Sequence, residues 1–500
     1  MFTLPWVTPR AGRFLITVLL VVKIGLLAFN AIVFDSKPYD VGHHSDRALF
    51  AGLRPGKMAY NPPPYYFPAK LLHRPEDVPL VERSSETIGE DEEAVQSREE
   101  RKTRQTRAEK QFRAKLIAFL RYTNIFWVGL FYLAWIWQSF PRIFRGFQPW
   151  FLASLLLLAM PGYQKLGVMT HPDNMFAGTS AVAIAIWLTL RERYLAGTLP
   201  TLPQLLGFAF AIGLTALTRP FAAVPVAVLS VIMVVYVWRS VSGRLMAALP
   251  RTMLVGVIIG AMSLSWYVYR WKASGEVTNA YRTGYISKFE KRRKNFDYKA
   301  YYTSLNLKDL ILDPSRKMGD GDAGVYADTP LANSFFTLLY SEIWGDQWLY
   351  FSGPKLKDNK VWAKRMTLAC ALPVPPLTLV LGLLSLWSRI GEARKKLLEA
   401  APQKLLDRAR LVLVELEVPL VLFSIALIGA ALFMYWQGGP ALLPGKNSTV
   451  KFIYIATLFP PALGIIFSRR LPPVVFNLLA GYFLLLFVVA YPVAVYWPAN

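Results

Sequence analysis

Apolar stretches separated by short polar turns dominate the chain. A helix of about 20 mostly apolar residues crosses the hydrocarbon core of a bilayer, and eleven stretches are candidates for such helices. They are residues 14–34, 116–137, 149–164, 175–190, 203–218, 220–238, 252–270, 366–387, 417–436, 450–467 and 473–496. Backbone groups inside a bilayer must pair within their own segment. The pattern therefore predicts an all-α polytopic membrane protein with about 11 transmembrane helices.

Composition and charge support this class. Hydrophobic residues make up 54% of the 500 residues and charged residues only 18%, against about 25% charged in a soluble domain. The formal net charge is +24, which we assign to cytoplasmic connections and to contacts with anionic membrane lipid. No basic stripe stands apart from the apolar stretches, so we expect no nucleic-acid partner. The first apolar stretch is too long for a typical signal peptide, and we expect it to be retained as a span.

Lysine and arginine in the short connections indicate the orientation of the helices. With the N-terminus inside, the inner connections hold Arg142, Arg145, Arg191, Arg193, Arg239, Arg244, Arg251, Arg389, Arg394, Lys395, Lys396, Arg469 and Arg470. The short outer connections hold only Lys165, Arg219 and Lys446. Positive residues in short loops favour the cytoplasmic side. The two long loops, about 35–115 and 271–365, are therefore predicted to be non-cytoplasmic.

These loops divide the chain into five parts. They are residues 1–34 (N-terminus and first span), 35–115 (first outer loop), 116–270 (helices two to seven), 271–365 (second outer loop) and 366–500 (helices eight to eleven). Within the first outer loop, residues 81–115 carry mixed charges at i,i+4 spacing, for instance Glu100 with Arg104. Such spacing is typical of a solvated helix, and we assign it no chemistry.

Four polar groups fall at the predicted outer face. They are Tyr39-Asp40-Val41-Gly42-His43-His44 with Asn61-Pro62-Pro63-Pro64-Tyr65-Tyr66 after the first span, His171-Pro172-Asp173-Asn174 between the third and fourth spans, Arg219 between the fifth and sixth, and Lys451 with Tyr454 at the start of the tenth. Unrelated loops would scatter their polar residues over both faces. The clustering therefore indicates one functional site.

Two carboxylates and two cations at one interface suit group transfer from a phosphate. Asp40 or Asp173, partly desolvated near the bilayer surface, can act as a general base toward a hydroxyl. Arg219 and Lys451 can hold a phosphate and offset the charge that builds on it as it leaves. A lipid-linked phosphosugar presents its phosphate at this depth. The chain has no glycine-rich phosphate loop for a nucleotide.

Structural explanations compete with these assignments. Asp40 can be an interfacial acid, and Asp173 can cap the helix that follows it. Arg219 and Lys451 can instead extend toward the headgroup phosphates of ordinary membrane lipids. The tandem His43-His44 suggests a metal site but lacks further nearby ligands. We therefore expect no metal and no cofactor, with a divalent cation left as an unsupported alternative.

At these residues the chain resembles the GT-C superfamily of integral membrane glycosyltransferases. Its nearest likeness is to bacterial relatives of protein O-mannosyltransferases and lipid A aminoarabinose transferases. The resemblance rests on Asp40, on Pro62-Pro63-Pro64-Tyr65 and on His171-Pro172-Asp173-Asn174, and extends loosely to Lys451-Phe452-Ile453-Tyr454-Ile455. The predicted arrangement of helices is similar over most of the chain, whereas the sequence motifs are similar only in these short segments.

The resemblance implies a polyprenyl-phosphate sugar donor, inversion at the anomeric carbon, and a hydroxyl acceptor on a protein, lipid or glycan. It implies that Asp40 is the base and that Asp173 is the second acid. The implied donor- or acceptor-binding residues are His43, His44, Tyr65, Tyr66, His171, Arg219, Lys451 and Tyr454. The chain departs from many relatives by having Val41 where they carry a glutamate, and by the charged insertion at 81–115.

A transporter or flippase of lipid-linked sugar is the main alternative, and a non-catalytic assembly subunit is a third. Transporters place ionisable residues near mid-span at broken helices, whereas the residues above fall at one face. We therefore expect an enzyme in a bacterial inner membrane, with its site on the periplasmic or outer face.

Overall fold

The structure is a computed structural model that describes most of the helical part of the chain. The described residues are 8–33, 65, 114–144, 146–169, 171–198, 200–218, 222–240, 245–274, 298–312, 334–345, 358–399, 416–431 and 456–495. Within these ranges the backbone forms helices joined by turns, without a strand. The all-α prediction is confirmed.

The helices follow the apolar stretches. The first half of the chain contains α1 (Pro9–Val33), α2 (Ala114–Ile143), α3 (Phe147–Ala159), α4 (Gly162–Val168), α5 (Asp173–Leu195), α6 (Leu202–Thr218), α7 (Ala223–Ser240) and α8 (Leu245–Ser274). The second half contains α9 (Tyr298–Thr303), α10 (Leu307–Leu312), α11 (Phe335–Trp344), α12 (Asp358–Ala371), α13 (Val374–Glu399), α14 (Leu416–Ala431), α15 (Phe459–Ile466) and α16 (Pro473–Ala494). Helix α2 includes one π-helical segment, Ala134–Ser139.

Length and composition allow five stretches of the described residues to cross a membrane. They are Pro9–Val33, Ala114–Ile143, Asp173–Leu195, Val361–Lys395 and Pro473–Ala494. Helices α3 and α4 make a sixth if they are taken as one span with a bend of 56°. Four shorter apolar helices coincide with other predicted spans and are Leu202–Thr218, Pro225–Arg239, Leu249–Ser265 and Leu416–Ala431. A membrane protein is thus supported, while the count of about eleven is not confirmed.

Helix α3 lies at the centre of the bundle. Residues Pro149 to Ala159 are all buried, since the helix is apolar on every side and such a helix belongs in an interior. It packs against α1 and α16. At the contact with α16, the rings of Phe147 and Phe151 lie 6.4 and 6.0 Å from that of Phe476, centroid to centroid.

Helix α5 approaches α2 closely. A Cβ atom placed on Gly178 of α5 would lie 2.8 Å from the carbonyl oxygen of Trp127 in α2. Small residues at such crossings allow membrane helices to pack at short distances. The contact sets the first turn of α5, which begins at Asp173, beside the part of α2 that carries Asn124.

Part of the predicted second outer loop is docked onto the bundle. Ser334 caps α11, because its Oγ accepts a hydrogen bond from the Thr337 N–H at 3.2 Å. The same hydroxyl donates to the Ser304 carbonyl at 2.6 Å, and Thr337 Oγ1 accepts from the Asn306 N–H at 2.8 Å. Helix α11 in turn packs against α4 and α12. The described residues 334–345 therefore contribute directly to the surroundings of the broken span.

Two exposed lysines offer a test of the predicted orientation. Lys308 of α10 belongs to the predicted outer loop, and Lys395 of α13 to the predicted inner cluster. A Cys370→Ala background removes the chain's single cysteine. In intact spheroplasts Lys308→Cys should then react with an impermeant maleimide, and Lys395→Cys should react only after permeabilisation. The opposite labelling pattern would invert the predicted topology.

Candidate functional site

A helix break organises the part of the bundle that contains His171 and Asp173. Pro161 separates α3 from α4, because proline lacks an N–H and its ring clashes with the preceding turn. Met160 ends α3 in an extended conformation, and its carbonyl accepts a hydrogen bond from Lys23 Nζ at 3.0 Å. The ammonium also lies 5.9 Å from the centroid of the Phe487 ring. Gln164 Nε2 donates to the Lys23 backbone carbonyl at 2.9 Å. A buried cation in a span is costly without partners, and here it joins α1 to the break.

Three hydrogen bonds converge on the carbonyl oxygen of Met169, just after α4. The donors are Asn124 Nδ2 at 2.7 Å, Asn174 Nδ2 at 2.8 Å and the backbone N–H of His171 at 2.8 Å. A carbonyl oxygen offers two lone pairs, so this oxygen is saturated. The turn between α4 and α5 is consequently held from α2 and from α5 together, which fixes the position of His171.

His171 and Asp173 form a buried pair on this turn. Nδ1 of His171 lies 2.7 Å from Oδ2 of Asp173, and the side chains are 6% and 0% exposed. Asp173 is the first residue of α5, where the positive end of the helix dipole stabilises a carboxylate. The contact favours the imidazole tautomer with the proton on Nδ1, in which Nε2 is the acceptor. A carboxylate that orients an imidazole in this way is common in acid–base sites.

The structure does not show the alternative in which Asp173 caps α5. Pro172 occupies the N-cap position, and no side chain makes a capping hydrogen bond there. The carboxylate of Asp173 faces His171 instead. An imidazole two residues earlier offers the carboxylate a charge-assisted partner in place of the cap.

Tyr65 of the first sequence motif lies against the same turn. Its hydroxyl donates to Asn124 Oδ1 at 2.7 Å. The ring is buried in a small apolar cluster with Leu116, Leu120 and Met175. Through Asn124 it is linked to the Met169 carbonyl, and so to the turn that carries His171 and Asp173. Tyr65 and the His171–Asp173 turn, about 100 residues apart in the chain, are therefore linked in the fold.

A buried ion pair lies one helical turn away. Nζ of Lys165 in α4 is 3.3 Å from Oε1 of Glu342 in α11, and the side chains are 5% and 1% exposed. Nζ also donates to the carbonyls of Glu342 and Gly345, each at 3.1 Å. The Lys165 carbonyl accepts from the Met169 N–H at 3.1 Å. These contacts hold α11, which belongs to the predicted second outer loop, next to the His171–Asp173 turn.

The positions of the other predicted site residues are not tested by the structure. Asp40, His43, His44, Tyr66, Arg219, Lys451 and Tyr454 all lie outside the described residues. Tyr65, His171 and Asp173 are described, and the fold brings them together. Within the described ranges, no three histidine, cysteine or acidic side chains are grouped as metal ligands would be.

Four residues of this region were missed or underestimated from the sequence. Lys165 was noted only for its side of the membrane, and Lys23, Asn124 and Glu342 were not singled out. An ionisable residue inside an apolar segment is a signal of function or of a buried pair. Applied to Lys23 in α1 and to Glu342 in the apolar helix Phe335–Trp344, that rule identifies both.

Comparison with known proteins finds no relative: no family model, no curated protein and no solved structure matches this chain. The likeness to GT-C enzymes therefore rests on the quoted motifs.

Proposed function

We propose that the protein is an integral membrane glycosyltransferase of the GT-C kind. It transfers a sugar from a polyprenyl-phosphate donor to a hydroxyl of a protein, lipid or glycan at the outer face of a bacterial inner membrane. Asp40 acts as the general base and Asp173 as the second acid of the site. Arg219 and Lys451 bind the donor phosphate.

One observation carries this proposal: Tyr65 and the His171–Asp173 turn come together at one end of α5. Arg191, near the other end of α5, follows Asp173 by 18 residues, or about 27 Å at the rise of an α-helix. This length is close to the thickness of the hydrocarbon core. A site at the first turn of α5 is therefore at headgroup depth, where a lipid-linked phosphosugar carries its phosphate. The buried His171–Asp173 pair adds acid–base chemistry at that depth.

In the proposed reaction, the acceptor oxygen forms a bond to the anomeric carbon while its proton passes to Asp40. The bond between that carbon and the phosphate oxygen breaks, and polyprenyl phosphate leaves with the electron pair. Attack opposite the leaving phosphate inverts the configuration. Arg219 and Lys451 offset the charge that develops on the phosphate. His171, oriented by Asp173, contacts the donor or the acceptor.

Release of free polyprenyl phosphate tests this function. Purified protein should release it from at least one of a panel of sugar-charged polyprenyl phosphates when a hydroxyl acceptor is present. Asp173→Asn should lower the rate by up to about a hundredfold, because the imidazole loses the partner that positions it. Glu399→Gln, at an exposed acid of α13, should leave the rate unchanged. A folded protein that releases nothing from any donor would contradict the proposal.

A transporter or flippase of lipid-linked sugar is the second candidate, and one observation favours it. The broken span α3–α4, with Lys23 at the break, is the arrangement that transporters use for substrate sites. The ammonium of Lys23 is engaged by the Met160 carbonyl and the Phe487 ring, so its burial is explained without a substrate. Reconstitution with labelled donor separates the two functions. A transporter moves the intact donor across the bilayer, whereas the enzyme cleaves its bond between sugar and phosphate.

A further inference from the structure

A cavity of about 490 Å³ lies among helix ends at the opposite end of α5 from the His171–Asp173 pair. Its volume is within the range of small-molecule sites, about 300–1,000 Å³. The charged residues among its described lining are Arg142, Arg191, Arg389, Arg469, Arg470 and Glu392. They come from α2, α5, α13 and the turn between α15 and α16. Far-apart segments of the chain thus bring five guanidinium groups to one concave surface.

Acids near the cavity offset only part of this charge. Nε of Arg142 is 3.2 Å from Glu192 Oε2, and Nε of Arg191 is 2.9 Å from Glu417 Oε2. Arg469 and Arg470 are exposed and make no ion pair with any described residue. Among the described residues, the five arginines of the lining outnumber Glu392 even when the partners Glu192 and Glu417 are counted. Like charges repel at short range, so the arrangement favours a bound anion.

Two of the guanidinium groups are held in place by the protein. Glu417 accepts a hydrogen bond from the Tyr236 hydroxyl as well as from Arg191. Arg142 Nη1 donates to the carbonyl and to Oε1 of Gln138, at 2.6 and 2.9 Å. Groups that are already ordered lose little conformational entropy on binding a ligand. The cavity therefore has the preorganisation expected of a site.

An unpartnered hydroxyl and an apolar helix face indicate the kind of anion. Oγ of Ser468, which lines the cavity, is buried and has no hydrogen-bond partner among the described residues. Such a group calls for a ligand atom or water to satisfy it. On α13, Leu384 and Leu386 flank Ser385, which lines the cavity, and both are exposed and apolar. In a ligand with a phosphate head and apolar chains, the phosphate can accept a hydrogen bond from Ser468 and the chains can contact the apolar residues of α13.

We infer that this cavity binds the phosphate group of a membrane lipid, at the bundle end opposite the proposed catalytic site. Guanidinium groups form paired, charge-assisted hydrogen bonds with phosphate oxygens. The lipid chains would lie along the exposed apolar face of α13. The site does not depend on the proposed function, because none of its residues takes part in sugar transfer.

Binding of phosphatidylglycerol to the purified full chain in detergent tests this inference. Binding is followed by native mass spectrometry and by the unfolding midpoint, at matched ionic strength because exposed charges are screened by salt. In the variant Arg469→Gln/Arg470→Gln, the apparent Kd should rise by about tenfold or more. The matched control Arg193→Gln/Arg394→Gln removes two exposed arginines of α5 and α13 that do not line the cavity. Its Kd should stay within about twofold of the parent value.

Phosphatidylcholine and inorganic phosphate distinguish the sources of the anion. The inference predicts tight binding of phosphatidylglycerol, weak binding of the zwitterionic lipid and little stabilisation by inorganic phosphate. Stabilisation by inorganic phosphate alone would overturn the lipid assignment. An equal loss of binding in both double variants would also overturn it, since the effect would then belong to general surface charge. Sugar-transfer activity is measured separately, so its absence would not bear on these outcomes.

Discussion

Asp40→Asn should lower the turnover of sugar transfer by about 10²–10⁴-fold. The amide keeps the shape of the carboxylate and much of its hydrogen bonding, but it cannot accept the proton of the acceptor hydroxyl. Stability should change little, because the sequence places Asp40 in the outer loop after the first apolar stretch. The measurement is turnover at saturating donor beside the unfolding midpoint in detergent.

Asp173→Asn is the matched acid substitution for this experiment. Asp173 is fully buried against His171, so its replacement should lower the unfolding midpoint as well as turnover. Near wild-type turnover of Asp40→Asn would contradict the assignment of the base, as would a loss of activity only in step with lost stability. The better candidate would then be His171, oriented by Asp173, and Asp40 would be an interfacial acid.

The helices could be predicted because a long apolar stretch in a bilayer can pair its backbone polar groups within itself only as a helix. The predicted span 14–34 corresponds to Pro9–Val33, and 175–190 lies within Asp173–Leu195. The number of crossings was less predictable. An apolar stretch such as 203–218 becomes a helix of 17 residues, Leu202–Thr218, about 26 Å long. Hydropathy identifies such a helix but does not determine whether it crosses the hydrocarbon core unaided.

The part of the site whose side chains are neighbours in the sequence could be predicted. His171 and Asp173 are two residues apart, so the sequence alone placed them together. The link from Tyr65 through Asn124 to Met169 was not predictable, because its central acceptor is a backbone carbonyl that carries no side-chain signal. Partners that are distant in the chain, such as Lys165 and Glu342, leave no periodic pattern either. Their pairing follows only from the docking of α11 on α4.

Lys165→Met should destabilise the protein by about 3–5 kcal/mol, because it removes the ammonium that pairs with the buried Glu342 carboxylate. The side chain keeps a similar length, so the loss reports the ammonium group rather than a cavity. Unfolding is followed in detergent by denaturant or heat. The matched control is Lys395→Met. Lys395 is 3.6 Å from Glu399 in an exposed pair, and losing such a pair should cost no more than about 0.5 kcal/mol.

The double variant Lys165→Met/Glu342→Gln separates two causes of the loss. If the uncompensated carboxylate dominates, replacing it with a neutral amide should restore much of the stability, because removing both charges of a buried pair costs less than removing one. If the double variant is no more stable than Lys165→Met, the loss comes from the hydrogen bonds that Nζ gives to the carbonyls of Glu342 and Gly345. A single variant that unfolds like Lys395→Met would mean that the ion pair does not hold α11 to α4. In that case the outer loop would depend on its apolar contacts for docking beside the His171–Asp173 turn.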